Sequence, residues 1–170
     1  MSEWRKIEPS AIGDNIFQAV GEEWMLITAG TEEDHNTMTA SWGGMGVLWN
    51  KPVVFIFVRP SRHTYSFIEN NENFTLTFFE EEHKEILEFC GTNSGREVNK
   101  TEKCELTPLS TLNGSVYFAE GRLAIECKKI YAQDIDPELF LDPAIAANYP
   151  EGEEYHKMYI GEIVQVLSNP

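Results

Sequence analysis

Val53 to Val58 is an unbroken apolar run of six residues, set between Pro52 and the break at Arg59-Pro60. A run this short falls far below the ~20 residues of a membrane-spanning helix. Its Val, Ile and Phe content reads as a strand buried on both faces or inside a barrel. Comparable segments recur on either side. Trp24 to Ala29 reads as a strand stopped by Gly30, and Thr31 to Asn36 as a turn. Met38 to Trp42 and Gly46 to Trp49 read as strand pieces around Gly43-Gly44, a pair that suggests a bend. Phe74 to Phe79 alternates, Asn113-Gly114 is a hairpin signal leading into Val116 to Gln133, and Tyr159 to Leu167 alternates again.

Helical signals are few. Short helices are expected over Ser10 to Val20, over Arg62 to Asn70 with Ser61 as its cap, and over Glu80 to Phe89 with Gly91 as its stop. Gly91 to Lys100 reads as a polar loop. Asp136-Pro137 and Asp142-Pro143 each read as an N-cap followed by Pro at the first helical position. Roughly seven strands with two or three short helices favour a small, closed or half-open antiparallel barrel over a βαβ sheet. The 170 residues suit one domain, with no repeat and no linker long enough to divide it.

The formal charge of −15 argues against nucleic acid or an anionic membrane as partner. The N-terminus has no apolar signal region, and Cys90, Cys104 and Cys127 form no close pair in sequence. A reducing, cytoplasmic setting is expected. The acids are unevenly spread. From His35 to Ile68 there are 34 residues without Asp or Glu, a window that also holds Lys51, Arg59 and Arg62. Either an anionic ligand belongs there, or the window is mostly buried strand from which charge is excluded.

Familiar catalytic patterns fail. Gly43-Gly44-Met45-Gly46 lacks the spacing of a dinucleotide fingerprint, and Gly91 to Arg96 is too short for a phosphate-binding P-loop. There is no HExxH, no CxxC and no nucleophile elbow, so neither a metal site nor a serine nucleophile is expected. What remains is Arg59-Pro60-Ser61-Arg62-His63-Thr64, two guanidinium groups and two hydroxyls between a buried strand and a helix. Guanidinium forks match phosphate oxygens, whereas a solvated turn with an Arg bridged to Glu69 or Glu72 is the plain alternative. Arg96 lies in a second loop, Asn93-Ser94-Gly95-Arg96, with Lys100 four residues on. Met38-Thr39-Ala40-Ser41-Trp42 is the third element, either a wall for a flat ring or simply a core strand.

Together these residues resemble a family. Asn36-Thr-Met-Thr-Ala-Ser-Trp42, Arg59-Pro-Ser-Arg62-x-Thr64, Cys90-Gly-x-x-Ser-Gly-Arg96 with Lys100, and His156 before Gly161-Glu-Ile163 resemble, in order, segments of the flavin reductase-like FMN-binding split-barrel proteins. The resemblance runs from about Trp24 to Leu167. It implies a mainly β, antiparallel split barrel working as a homodimer, with FMN near the interface. It places Arg59, Ser61, Arg62 and Thr64 on the FMN phosphate. Asn36, Met38, Thr39, Ala40, Ser41 and Trp42 would line the ribityl chain and ring. Ser94, Gly95, Arg96 and Lys100 would close the ring side, with Lys100 near the N1–C2=O edge, and His156 would border the substrate side. The segment Asp136 to Glu154 departs from the simplest family pattern and is either a lid or a surface insertion.

The implied function is an FMN-dependent oxidoreductase passing hydride from NADH or NADPH to flavin. The alternatives are a flavoredoxin-like electron carrier served by a redox partner protein, and a non-enzymatic flavin or haem binder.

Overall fold

The computed structural model describes residues 3–170. Ten strands carry the architecture: β1 (Arg5–Ile7), β2 (Met25–Gly30), β3 (His35–Ala40), β4 (Gly43–Leu48), β5 (Lys51–Val58), β6 (Asn73–Phe78), β7 (Pro108–Ser110), β8 (Val116–Phe118), β9 (Leu123–Asp134) and β10 (Lys157–Ser168). Eight join one antiparallel sheet in the order β3-β2-β6-β9-β10-β5-β4, and β1 pairs with β10. β7 and β8 form a separate two-stranded piece.

The sheet curls on itself. Met38 and Ala40 from one end of the strand order, Val54, Ile56 and Val58 from near the other, and Ile27, Leu76, Ile125 and Val166 between them belong to one buried cluster. A flat sheet could not bring its two ends onto a common core. β10 divides its pairing along its length, meeting β5 over Lys157–Glu162 and β1 over Val166–Ser168. Bulges after Ile160 and Ile163 shift its register with β9. Gly161 lies at the first bulge, where an added Cβ would stand 2.7 Å from Phe74 Cζ and 2.8 Å from Cys127 Cβ. A second cluster, Leu26, Phe79, Leu87, Cys90, Leu106, Val116 and Phe118, packs helix α3 (Lys84–Thr92) and β8 onto the outer face.

The remaining helices are short: α1 (Ile16–Gln18), α2 (His63–Asn70) and α4 (Lys100–Lys103). Several boundaries differ from expectation. Ser10 to Val20 is not one helix: a 3-10 turn at Pro9–Ala11 precedes α1, which runs on into a π turn at Ala19–Glu23. The N-cap of α2 is Arg62, without a side-chain cap bond, so Ser61 does not cap it. α3 continues through Gly91, and its lead-in Glu81–His83 is 3-10. The pattern from Val116 to Gln133 splits into β8 and β9 at Ala119–Arg122. The Gly-Gly pair opens β4, and the chain turns instead at Trp49-Asn50, both at positive φ, giving a two-residue hairpin between Leu48 and Lys51. Both Asp-Pro starts behave as read: the Asp136 and Asp142 carboxylates accept from Glu138 N and Ala144 N at the heads of 3-10 helices Pro137–Leu139 and Pro143–Asn148.

Candidate functional site

β5 ends at Val58, and the chain turns sharply, Arg62 N donating to Arg59 O at 3.0 Å, before α2 begins. This turn places Arg59, Ser61 and Arg62 on the rim of a groove of ≈ 390 Å³. The other walls are Met38 to Trp42 at the end of β3, Phe57, and His156 just before β10. Three segments far apart in sequence thus meet because β3, β5 and β10 all border the one curled core.

The guanidinium groups are the groove's main chemical feature. Arg62 Nη1 donates to Gly91 O at 3.3 Å, while its Nη2 is buried with no acceptor. Burial, then the neighbouring Arg59, lowers the Arg62 pKa from its ordinary value. Arg59 donates to Glu153 (2.5 Å) and to Asn148 O (3.1 Å), and lies 5.5 Å from the Tyr149 ring centroid. Its Nε is likewise buried and unmet. Two adjacent cations with unanswered donors are costly unless an anion joins them. Neither bridges to Glu69 or Glu72: Glu69 pairs with Lys157 and Glu72 with Lys128.

Ser61 and Arg62 also line a second, smaller cleft with His63, Thr64, Gly91 to Gly95 and Lys100. Behind it, Gly95 is seated against the Asn36 amide of β3, where a Cβ would lie 2.1 Å from Asn36 Oδ1. Arg96 Nη1 donates to Ser61 O at 2.9 Å, clasping the arginine turn from the loop after α3, and Arg96 N donates to Ser94 Oγ at 3.2 Å. The loop therefore meets the arginine turn.

Lys100 lines the smaller cleft from its buried side. It is 3% exposed, and Nζ donates to Thr37 O and Cys90 O, both at 2.8 Å. Burial, then Arg62, lowers its pKa to about 8. It is a strut between β3 and α3 and does not line the groove that holds Trp42 and His156.

His156 lines the groove too, and both it and Arg59 meet Tyr149. The His156 ring lies 5.1 Å from Trp42 and hydrogen-bonds through Nδ1 to the Tyr149 hydroxyl at 2.6 Å. Burial, then Arg59, lowers its pKa to about 4, with Glu153 opposing, so it is neutral at physiological pH. Tyr149 and Glu153 belong to the segment between β9 and β10. The sequence reading marked that segment as unusual but assigned it no contact with the arginines. Its aromatic content, Phe140, Tyr149 and Tyr155, was the available signal, and the three rings pack together, Tyr149 and Tyr155 at 4.7 Å.

A larger cavity, ≈ 740 Å³, lies away from these residues among Asp14, Glu22, Glu23, Glu80 and Glu81. Its cations are already engaged: Arg122 pairs with Asp14 and Glu23, and Lys84 binds Glu22 O and Glu23 O. Size alone does not make it the site.

The family model described as "Flavin reductase like domain" matches residues 17–170. The chain belongs to this family. Solved structures agree on the fold, a split barrel. An FMN-binding domain of a flavin reductases-like enzyme from Shewanella baltica OS155 superposes with a TM-score of 0.70 at 15% identity, covering 99% of this chain and 78% of that one. Flavoredoxin from Methanosarcina acetivorans gives 0.68 at 22% identity, over 95% and 76%. A protein with a split barrel domain from Shewanella frigidimarina NCIMB 400 gives 0.66 at 19%, over 94% and 74%. No curated protein matches the chain. Among the described residues, no helix is long and apolar enough to cross a membrane.

Proposed function

We propose that this chain is a single-domain FMN-binding oxidoreductase of the flavin reductase type, with NADH or NADPH as electron donor. The observation that supports this reading is the pair Arg59 and Arg62, whose buried, unmet N–H groups share one groove in a chain of charge −15. An FMN phosphate is the acceptor such a pair lacks. Arg62, Arg59 and Ser61 would hold the phosphate. Thr64 would orient Asn36 toward the ribityl chain. The β3 backbone from Met38 to Ser41, with the half-exposed Trp42 indole, would form the wall against the ring. FMN, when bound, supplies the redox chemistry; the protein positions it and tunes its potential. His156 stays neutral at the substrate side and donates no charge.

Exposed Val47 and Trp49 on or beside β4, with Tyr131 on β9 and Val164 on β10, give an apolar surface for the homodimer we propose. Reduced thiols at Cys90, Cys104 and Cys127 support a cytoplasmic setting.

A second reading is a flavoredoxin-like carrier that receives electrons from a partner protein. It is favoured by the likeness to flavoredoxin and by the acidic surface, which would steer a basic partner. Anaerobic mixing of the FMN-loaded protein with NADH and NADPH separates the two. Rapid bleaching of bound flavin is expected for the reductase, and no bleaching with either donor assigns the carrier role. Failure to bind FMN at all removes both.

A further inference from the structure

The Tyr149–His156 pair joins the segment between β9 and β10 to the groove. The His156 backbone is pinned at the base of the β9–β10 hairpin, where its carbonyl accepts from Ile135 N at 3.0 Å. Its ring is held between two others, Trp42 at 5.1 Å and Tyr149 at 5.4 Å, the latter at an interplanar angle of 71°. The residue is 9% exposed, and it lines the groove. Nδ1 meets the Tyr149 hydroxyl at 2.6 Å, while Nε2 makes no hydrogen bond among the described residues.

A neutral imidazole carries one N–H and one lone pair, and the partner of one nitrogen decides which is which. The Tyr149 hydroxyl has no other acceptor among the described residues, so its hydrogen is free to point at Nδ1. If Nδ1 carried the proton instead, the phenol hydrogen would have to be left without a partner in the chain. The charged groups facing the ring are Arg59, which opposes protonation, and Glu153, which is already committed to Arg59.

We infer that Tyr149 is a positioning residue that fixes His156 as the Nε2–H tautomer, presenting an uncharged N–H donor in the groove for a carbonyl or carboxamide oxygen of the second substrate. The ligand half of this inference rests on the proposed function; the tautomer half stands on the geometry alone. The segment between β9 and β10 thereby acts on specificity through one hydroxyl. A neutral donor favours an amide or ketone over a ligand that must itself donate.

The test is the long-range nitrogen–proton spectrum of histidine-labelled protein at neutral pH, with His156→Gln identifying the His156 signals. Wild type is expected to show the proton on Nε2 and a bare Nδ1. Tyr149→Phe is expected to lose this pattern to an average of both tautomers, with the circular dichroism of the barrel unchanged. A proton on Nδ1 in wild type overturns the inference, as does an unchanged pattern in Tyr149→Phe. Nicotinamide is then added to FMN-loaded protein. A shift of the Nε2–H resonance in wild type that disappears in Tyr149→Phe supports the ligand half, and no shift overturns it. If FMN itself does not bind, the proposed function falls while the tautomer result remains readable.

Discussion

Asn36 Nδ2 donates to Thr64 Oγ1 at 2.8 Å, joining the start of β3 to the first turn of α2. Both side chains are buried, Thr64 completely, and Gly95 from the loop after α3 rests on the same amide. One hydrogen bond therefore registers all three segments that the sequence marks as ligand-binding. Thr64→Val keeps the shape and removes the acceptor. We expect a loss of about 1–3 kcal/mol, the cost of an unmet buried donor, measured by urea denaturation. Gly95→Ala should weaken FMN binding as Asn36 is displaced. Unchanged stability in Thr64→Val would show that the amide finds another partner.

Arg62→Ala removes the guanidinium with the buried, unmet Nη2. FMN affinity should fall by about 1.5–3 kcal/mol, the range for a hydrogen bond to a charged group, or about 10- to 150-fold. Fluorescence titration measures it. An unaltered dissociation constant in a folded variant rejects Arg62 as a phosphate ligand.

Glu153 competes with any anion for Arg59. Its side chain is 45% exposed, so the pair is worth only a fraction of a buried one. Glu153→Gln should therefore tighten FMN binding modestly, by up to about fivefold, from the ~1 kcal/mol ceiling of an exposed pair. Weaker binding would mean that Glu153 orients Arg59 instead of occupying it.

His156 links stability to pH with a definite sign. Its folded pKa of about 4 lies below the ordinary histidine value, chiefly through burial. The unfolded chain thus binds the proton more readily between the two values. The contribution of His156 is fully present above the ordinary value of about 6.5 and is lost as pH falls toward 4. Compared with wild type, His156→Gln should show a shallower decline of unfolding free energy over that window. Parallel curves would contradict a buried, neutral ring.

Lys100 behaves in the same sense at higher pH. Its pKa is lowered from 10.5 to about 8, so the folded state carries a penalty for the charged form below about 8. That penalty is relieved as pH rises from about 8 to 10.5. Relative to Lys100→Met, wild type should gain stability across this window, read by denaturant titration at successive pH values. The variant itself should be less stable at neutral pH, because Thr37 O and Cys90 O lose their donor.

The parts legible in the sequence were those governed by neighbours in the chain. Asp142-Pro143 announced a helix start because cap and first turn are local, and Val53 to Val58 announced a buried strand because apolarity is. Ala119–Arg122 was not legible. The break there accompanies Gly121, whose missing side chain admits Thr77 Cγ2 to 2.5 Å of where a Cβ would be. That contact comes from β6, over forty positions away. Trp49-Asn50 turned without a glycine, and its one signal, Asn50, lay at the end of an apolar piece that read as strand. The arginine turn and the Ser94–Arg96 loop were recognisable by composition. The ring-side position of Lys100 rests on the family resemblance alone. Only the fold shows two carbonyls claiming it. Cys90 and Cys104, remote in sequence, pack in one cluster for the same reason.

β9 and β10 are twelve residues each and pair from Leu123↔Ser168 to Lys157↔Asp134. At about 3.3 Å per residue such a ribbon is roughly 40 Å long. Its root is locked in the core, and the connection at its tip carries Asn148, Tyr149 and Glu153, which meet Arg59 and His156. In an antiparallel pair the register is held by the ladder, so the connection at the tip can be lengthened, shortened or replaced without re-threading the barrel. The segment that meets Arg59 and His156 is therefore an interchangeable part of this architecture, free to change without disturbing the barrel beneath it.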